Sequence, residues 1–159
     1  MTLDSWILAL HLLSAFALAG ATTVFSIAML ALRRADGPKP AAVLAPLIRI
    51  AFPAVVIGTL GTIVFGIWLA ISLDAYAVWD GWVIAAIVLW VIGSETGRKS
   101  TTMVGEAVAR SEKLLAEGKD GPDPELAASL RNPRMHLLNW ISAATIVLVL
   151  IDMIWKPGA

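Results

Sequence analysis

Cysteine is missing from the chain altogether, and histidine occurs only twice in 159 residues. The first absence excludes disulfides, thiolate metal centres, iron–sulfur clusters and cysteine nucleophiles together, and it leaves the redox compartment unmarked. The second excludes any metal site built from several imidazoles, and no metal ligand set is assigned. Charge is scarce too, with Asp, Glu, Lys and Arg at 15% of residues and the two signs in equal number. No aromatic–basic pattern suited to nucleic acid is present. Nor is there an HExxH pair, a GxSxG elbow, a Walker loop or a GxGxxG turn, so no catalytic residue is assigned.

What the chain has in excess is apolar surface. Hydrophobic residues make up 58% of it and the mean hydropathy is +0.81, more than one soluble core of this size can hide. Four apolar runs stand out, at residues 6–32, 50–72, 79–93 and 135–155. A crossing takes about 20 residues, so three runs are long enough and the third must continue to about residue 97. The first run lacks the basic flank of a signal peptide and continues well past its small-residue site at Ala17–Ala19, so it is expected to stay as a helix.

Positive charge then orients the chain. Eleven of the twelve basic residues lie around the first and third connections: Arg33, Arg34, Lys39 and Arg49 in one, and Arg98, Lys99, Arg110, Lys113, Lys119, Arg131 and Arg134 in the other. The second connection, "SLDAYAVWDG", has none. The positive-inside rule puts connections one and three in the cytoplasm and both termini outside. Trp6, Trp68, Tyr76, Trp79, Trp82 and Trp155 then form an outer aromatic belt, and Asp4, Asp74, Asp80 and Asp152 an acidic outer rim. Asp152 and Lys156 are expected to pair one turn apart, as are Glu106 and Arg110.

The third connection, residues 98–133, reads as a cytoplasmic extension of helix three followed by a short helix. Asp123–Pro124 and Asn132–Pro133 each carry the signature of an N-cap followed by a first helical residue. The second run places Ala54, Gly58, Thr62, Gly66 and Ala70 four residues apart, a small-residue stripe suited to close helix packing. His11 shares such a face with Ala15, Ala19 and Thr23 in the first run.

Ionisable groups at membrane depth call for named partners. His11 falls about 9 Å below the outer boundary and His136 close to the inner one, a depth difference of roughly 15 to 20 Å, so the two cannot ligate one iron. His11 is either a polar lock between helices, a proton or ion handler, or a single haem or metal ligand. A second group, Arg49, Glu95, His136 and Asn139, falls at one depth near the inner face, with Arg49 expected to pair with Glu95. It reads either as a structural ion pair with neighbours or as an inner vestibule.

The "LHLLSAFALAG" opening, the basic turn after the first run, the glycine-rich second run and the "RNPRMHLLNWIS" entry to the last resemble bacterial integral membrane proteins grouped as domain of unknown function 2269. The likeness implies a four-helix inner-membrane protein. A more distant likeness to the copper-resistance D and membrane protoporphyrinogen-oxidase families implies only that His11 could ligate a metal or haem. The expected fold is therefore all-α: one membrane domain over residues 1–159, an up-down four-helix bundle with spans at about 6–32, 50–72, 79–97 and 134–155. Its expected setting is the bacterial inner (plasma) membrane, as a multi-pass protein whose partners are the lipid bilayer and further copies or other membrane subunits. The leading functional expectation is an oligomer-forming or accessory subunit. The alternatives are a haem- or metal-binding redox protein using His11, and a small transporter or channel using the inner polar group.

Overall fold

A computed structural model describes residues 2–72 and 79–156. The expectations for Asp74 and Tyr76 lie outside the described residues. Among the described residues the structure is all-helical: α1 (Leu3–Leu32), α2 (Pro38–Ser72), α3 (Gly81–Ala116), α4 (Pro124–Leu130) and α5 (Pro133–Trp155).

The helix boundaries follow from local chemistry. Thr2 caps α1, its hydroxyl accepting from the Ser5 backbone N–H at 3.4 Å. Asp123 caps α4 through the Leu126 N–H at 2.6 Å, and Asn132 caps α5 through the Arg134 N–H at 3.0 Å, with proline next in both cases. Gly118 ends α3 at φ +74°, a left-handed conformation that glycine enters without strain. The first and third connections touch each other. The Asp123 N–H donates to the Asp36 carbonyl at 3.1 Å, and a Cβ on Gly37 would come within 3.0 Å of the Gly121 carbonyl oxygen.

Three helical segments are long and apolar enough to cross a membrane: α1, α2, and the stretch Pro124–Trp155 that contains α5. Helix α3 is not among them. Its apolar run stops at Gly93, with Glu95, Arg98 and Lys99 following in the same helix. Apolar side chains cover the outsides of the long helices: Phe16 is 74% exposed, Ile57 69% and Ile154 75%. Only 11% of the most apolar stretch of α2 is buried. A surface of that kind suits hydrocarbon.

Helix α2 begins at Pro38, well before the apolar run at residue 50, and contains Pro46 and Pro53. Each proline removes one ladder hydrogen bond, but the helix continues through both because its neighbours hold it. Helix α1 packs mainly on α2, and α3 mainly on α5; α2–α3 and α1–α5 contacts are smaller. On α1 the buried positions are Ile7, His11, Phe25, Ala28, Met29 and Leu32, and half-buried Ser14, Leu18 and Ala21 fall between His11 and Phe25 in steps of three and four. Steps of four and three give a heptad spacing.

The apolar core lies at one end. Phe25, Met29 and Leu32 of α1 meet Ala41, Ala45 and Ile48 of α2, Val104 and Val108 of α3, Leu126 and Leu130 of α4, and Met135 of α5.

Candidate functional site

His11 is 8% exposed and sits on the α1 seam facing α2. Its Nδ1 donates to the Thr62 carbonyl at 2.9 Å. A carbonyl can only accept, so Nδ1 carries the proton and the lone pair of the neutral ring lies on Nε2. Gly66 makes room for the ring, since a Cβ there would come within 3.0 Å of the His11 Cε1.

Two further glycines bring α1 and α2 together. A Cβ on Gly58 would sit 2.8 Å from the Leu18 backbone nitrogen and 2.9 Å from its Cα, and a Cβ on Gly61 would collide with the Ser14 hydroxyl. Of the expected stripe, Gly58 and Thr62 are buried, and Ala54, Gly66 and Ala70 are half-buried. Gly61 belongs to the same face, at the three-residue step the heptad repeat requires.

The α3–α5 pair has a comparable seam that the expectations passed over. A Cβ on Gly93 would meet Thr145 at 3.3 Å, and one on Gly97 would meet the Ser142 hydroxyl at 2.8 Å. Ser142 donates to the Gly93 carbonyl at 2.9 Å, and Ser100 to the Met135 carbonyl at 3.0 Å. The signal was present as a four-residue Gly93–Gly97 spacing, with Glu95 between the two glycines.

The inner polar group does not assemble as expected. Arg49 pairs with Glu112, Nη2 to Oε1 at 2.5 Å, not with Glu95. Glu95 instead binds Arg98 at 3.0 Å and approaches Lys99 at 3.9 Å on its own helix. The reason is level: Glu112 lies about 25 Å beyond Glu95 on the same helix, so Arg49, which reaches Glu112, is out of reach of Glu95 and the single depth expected for the group does not hold. His136 is buried, with Nε2 donating to the Leu130 carbonyl at 2.8 Å. It thus satisfies an end carbonyl of α4 and ties the α4–α5 turn. Asn139 donates from Nδ2 to the Ser26 hydroxyl at 3.1 Å, joining α5 to α1. Each of the four residues therefore has its own partner.

Two expected one-turn pairs are also replaced. Arg110 turns to Glu125 at 2.6 Å and Asp123 at 3.6 Å rather than to Glu106, which fastens α4 against α3. Asp152 is 8% exposed, its carbonyl accepting from the Lys156 backbone N–H at 2.8 Å, while the Lys156 ammonium lies 5.5 Å from the centroid of the Trp82 ring. No family model, curated protein or solved structure matches the chain.

Proposed function

We propose that this chain is a four-span protein of the plasma membrane, folded as an up-down bundle with both ends outside, and that it serves as an oligomer-forming or accessory membrane subunit. One observation supports the bundle: polar side chains on the long helices, His11 and Asn139 of the expected groups among them, join helix to helix. His11 holds α2 through Thr62, Asn139 holds α1 through Ser26, and Ser142 holds α3 through Gly93. Interhelical bonds of this kind lock a bundle in lipid, where apolar burial adds little. The third crossing uses α3, whose short apolar run draws Glu95 towards the inner interface, where Arg98 and Lys99 neutralise it. The likeness to the four-helix inner-membrane family of unknown function fits the same reading.

The test uses the missing cysteine. Single cysteines placed at Thr2, Lys39, Trp79, Lys119 and Lys156 are each the only thiol in the protein. An impermeant maleimide added to intact cells is expected to label positions 2, 79 and 156, and positions 39 and 119 only after permeabilisation. Labelling of 39 or 119 from outside overturns the topology. Mass measurement of the detergent-solubilised complex then reads its stoichiometry and any companion subunit.

A second reading rests on the His11 tautomer. A ring whose Nδ1–H is fixed by a backbone carbonyl presents Nε2 as a ligand nitrogen, the usual arrangement at haem and metal sites. His136 does not supply a second ligand at that level, because it lies roughly 15 to 20 Å away in expected depth, at the α4–α5 turn where its Nε2 holds the Leu130 carbonyl. A Soret band in the purified protein after haem supplementation, lost in His11→Ala, supports this reading; absence of the band removes it.

A further inference from the structure

Helices α1 and α5 do not close on each other along their whole length. Between them runs a groove of about 270 Å³, with Ala19, Ile27 and Leu30 on one wall and Trp140, Ala143 and Leu150 on the other. At 1.5 Å per residue, the stretch from Ala19 to Leu30 is about 16 Å long, close to the ~15 Å of hydrocarbon in one leaflet.

The inner end of the groove is the notable part. Arg33 and Arg34 follow directly on α1, and Arg131 and Arg134 flank the start of α5. A hydrogen bond from Arg131 Nε to the Arg33 carbonyl, at 3.4 Å, brings the two pairs together. Among the described residues none of these four guanidiniums forms an ion pair, and Asp36, the nearest acid in sequence, makes none with them. Elsewhere on the same face, Lys39, Arg49, Arg98, Arg110 and Lys119 are all matched with carboxylates. Of the other basic residues on that face only Lys113 makes no ion pair among the described residues, so most of the unmatched positive charge lies at the mouth of the groove. The N-terminus of α5, with its partial positive charge, lies there as well.

We propose that this groove and its four arginines bind an anionic phospholipid, with one acyl chain lying between α1 and α5 and the phosphate on Arg33, Arg34, Arg131 and Arg134. Apolar walls of leaflet depth ending in unpaired guanidiniums match both parts of such a lipid, and neither part alone accounts for the arrangement. The proposal rests on the membrane reading above.

The full chain is reconstituted in nanodiscs of equal phosphatidylglycerol and phosphatidylcholine, and the lipids retained on release are counted by native mass spectrometry. Failure to insert, scored by co-elution with the discs, overturns the membrane reading itself. In inserted protein, phosphatidylglycerol is expected to be retained over phosphatidylcholine by about tenfold or more. Each arginine lost is expected to lower that preference by about fivefold. Arg34→Gln/Arg134→Gln keeps the Arg131–Arg33 hydrogen bond and should nearly abolish the preference, whereas Lys39→Gln/Lys119→Gln removes the same charge elsewhere and should keep it. Ala143→Phe, which fills the groove, should release the lipid. Equal retention of the two lipids by wild type, an unchanged preference in the arginine variant, or lipid retained in Ala143→Phe overturns the proposal. Displacement of the lipid by millimolar inorganic phosphate also overturns it, marking a free-phosphate site.

Discussion

The half of the molecule that carries His11, Gly58, Gly93 and Thr145 and the half that carries Met29, Leu32, Val104 and Leu130 use the same helices but pack them differently. In the first half the buried positions are mostly glycine, hydroxyl and other polar residues, with Ile7, Leu69 and Trp82 as the large apolar exceptions. In the second they are mostly apolar, with Ser100, Ser111 and His136 as the polar exceptions, and they enclose α4 completely at Leu126 and Leu130. The difference follows the proposed solvent. In hydrocarbon, moving a leucine from lipid to protein gains little, so helices associate by close backbone approach and a few hydrogen bonds. In water each buried leucine contributes about 1.5 to 3 kcal/mol, so α4 and the later part of α3, a helix not among the candidate spans as α1 and α2 are, bury leucine and valine against the ends of the other helices.

The strongest way to break this comparison is to cut the aliphatic core. Leu32→Ala and Leu130→Ala, both at fully buried positions, are each expected to cost about 2 to 5 kcal/mol in thermal or denaturant unfolding followed by circular dichroism in mild detergent. Leu13→Ala, at a 66% exposed position facing the proposed lipid, should change stability by about 0.5 kcal/mol or less. Similar losses at the two kinds of site would erase the distinction.

Next in size is the close approach of α1 and α2. A side chain at Gly58 meets backbone that cannot swing aside, and Gly58→Leu should cost about 1 to 3 kcal/mol and separate the pair. Gly20→Ala, where a Cβ meets nothing within 4 Å, should have the opposite sign, stabilising by up to about 1 kcal/mol through helix propensity. Equal signs for the two would mean that the glycines are compositional rather than positional. His11→Ala loses one interhelical bond and should cost about 0.6 kcal/mol, with about 1.7 as the upper bound for such bonds.

The smallest effect belongs to the water-facing ion pairs. The Lys39 ammonium, hydrogen-bonded to Asp120, holds that carboxyl below its ordinary value. A depressed carboxyl pKa stabilises the fold above the unfolded value, and that contribution is lost as pH falls through the lower folded one. Wild type and Asp120→Asn should therefore differ slightly at neutral pH and converge in acid below the ordinary carboxylate range. High salt should shrink the difference at neutral pH. A gap that persists in acid would assign the effect to something other than this pair.

Much of the helical framework was legible because its signals are local. Asp123–Pro124 and Asn132–Pro133 start helices as their chemistry requires, and the inner extension of α3 follows from its continuous pattern. The partners of charged groups were less legible because they depend on three-dimensional reach. Arg49 and Glu95 fall at similar depth in a hydropathy profile, yet the long α3 rod offers Glu112, and Glu95 is already satisfied one turn along its own helix. Likewise, Arg110 takes Glu125 from a helix packed across from it rather than Glu106 from its own. The Gly93–Gly97 seam was readable in principle, but a charge profile weights Glu95 and passes over the glycines beside it. His136 illustrates the same limit, since its partner is the end of a seven-residue helix whose position only the fold supplies.

Helix α3 has a mechanical consequence. It is a single rod of 36 residues, about 54 Å from end to end, with no proline along it. It is fastened around its middle to the α5 seam, at Gly93 and Ser100, and towards its later end to α4 through Arg110. Such a rod behaves as a lever: a tilt of about 5° about its outer end carries the inner tip sideways by about 5 Å, given a rise of 1.5 Å per residue. A small change of tilt along α3 would thus carry the connection at Gly118–Gly121 with it.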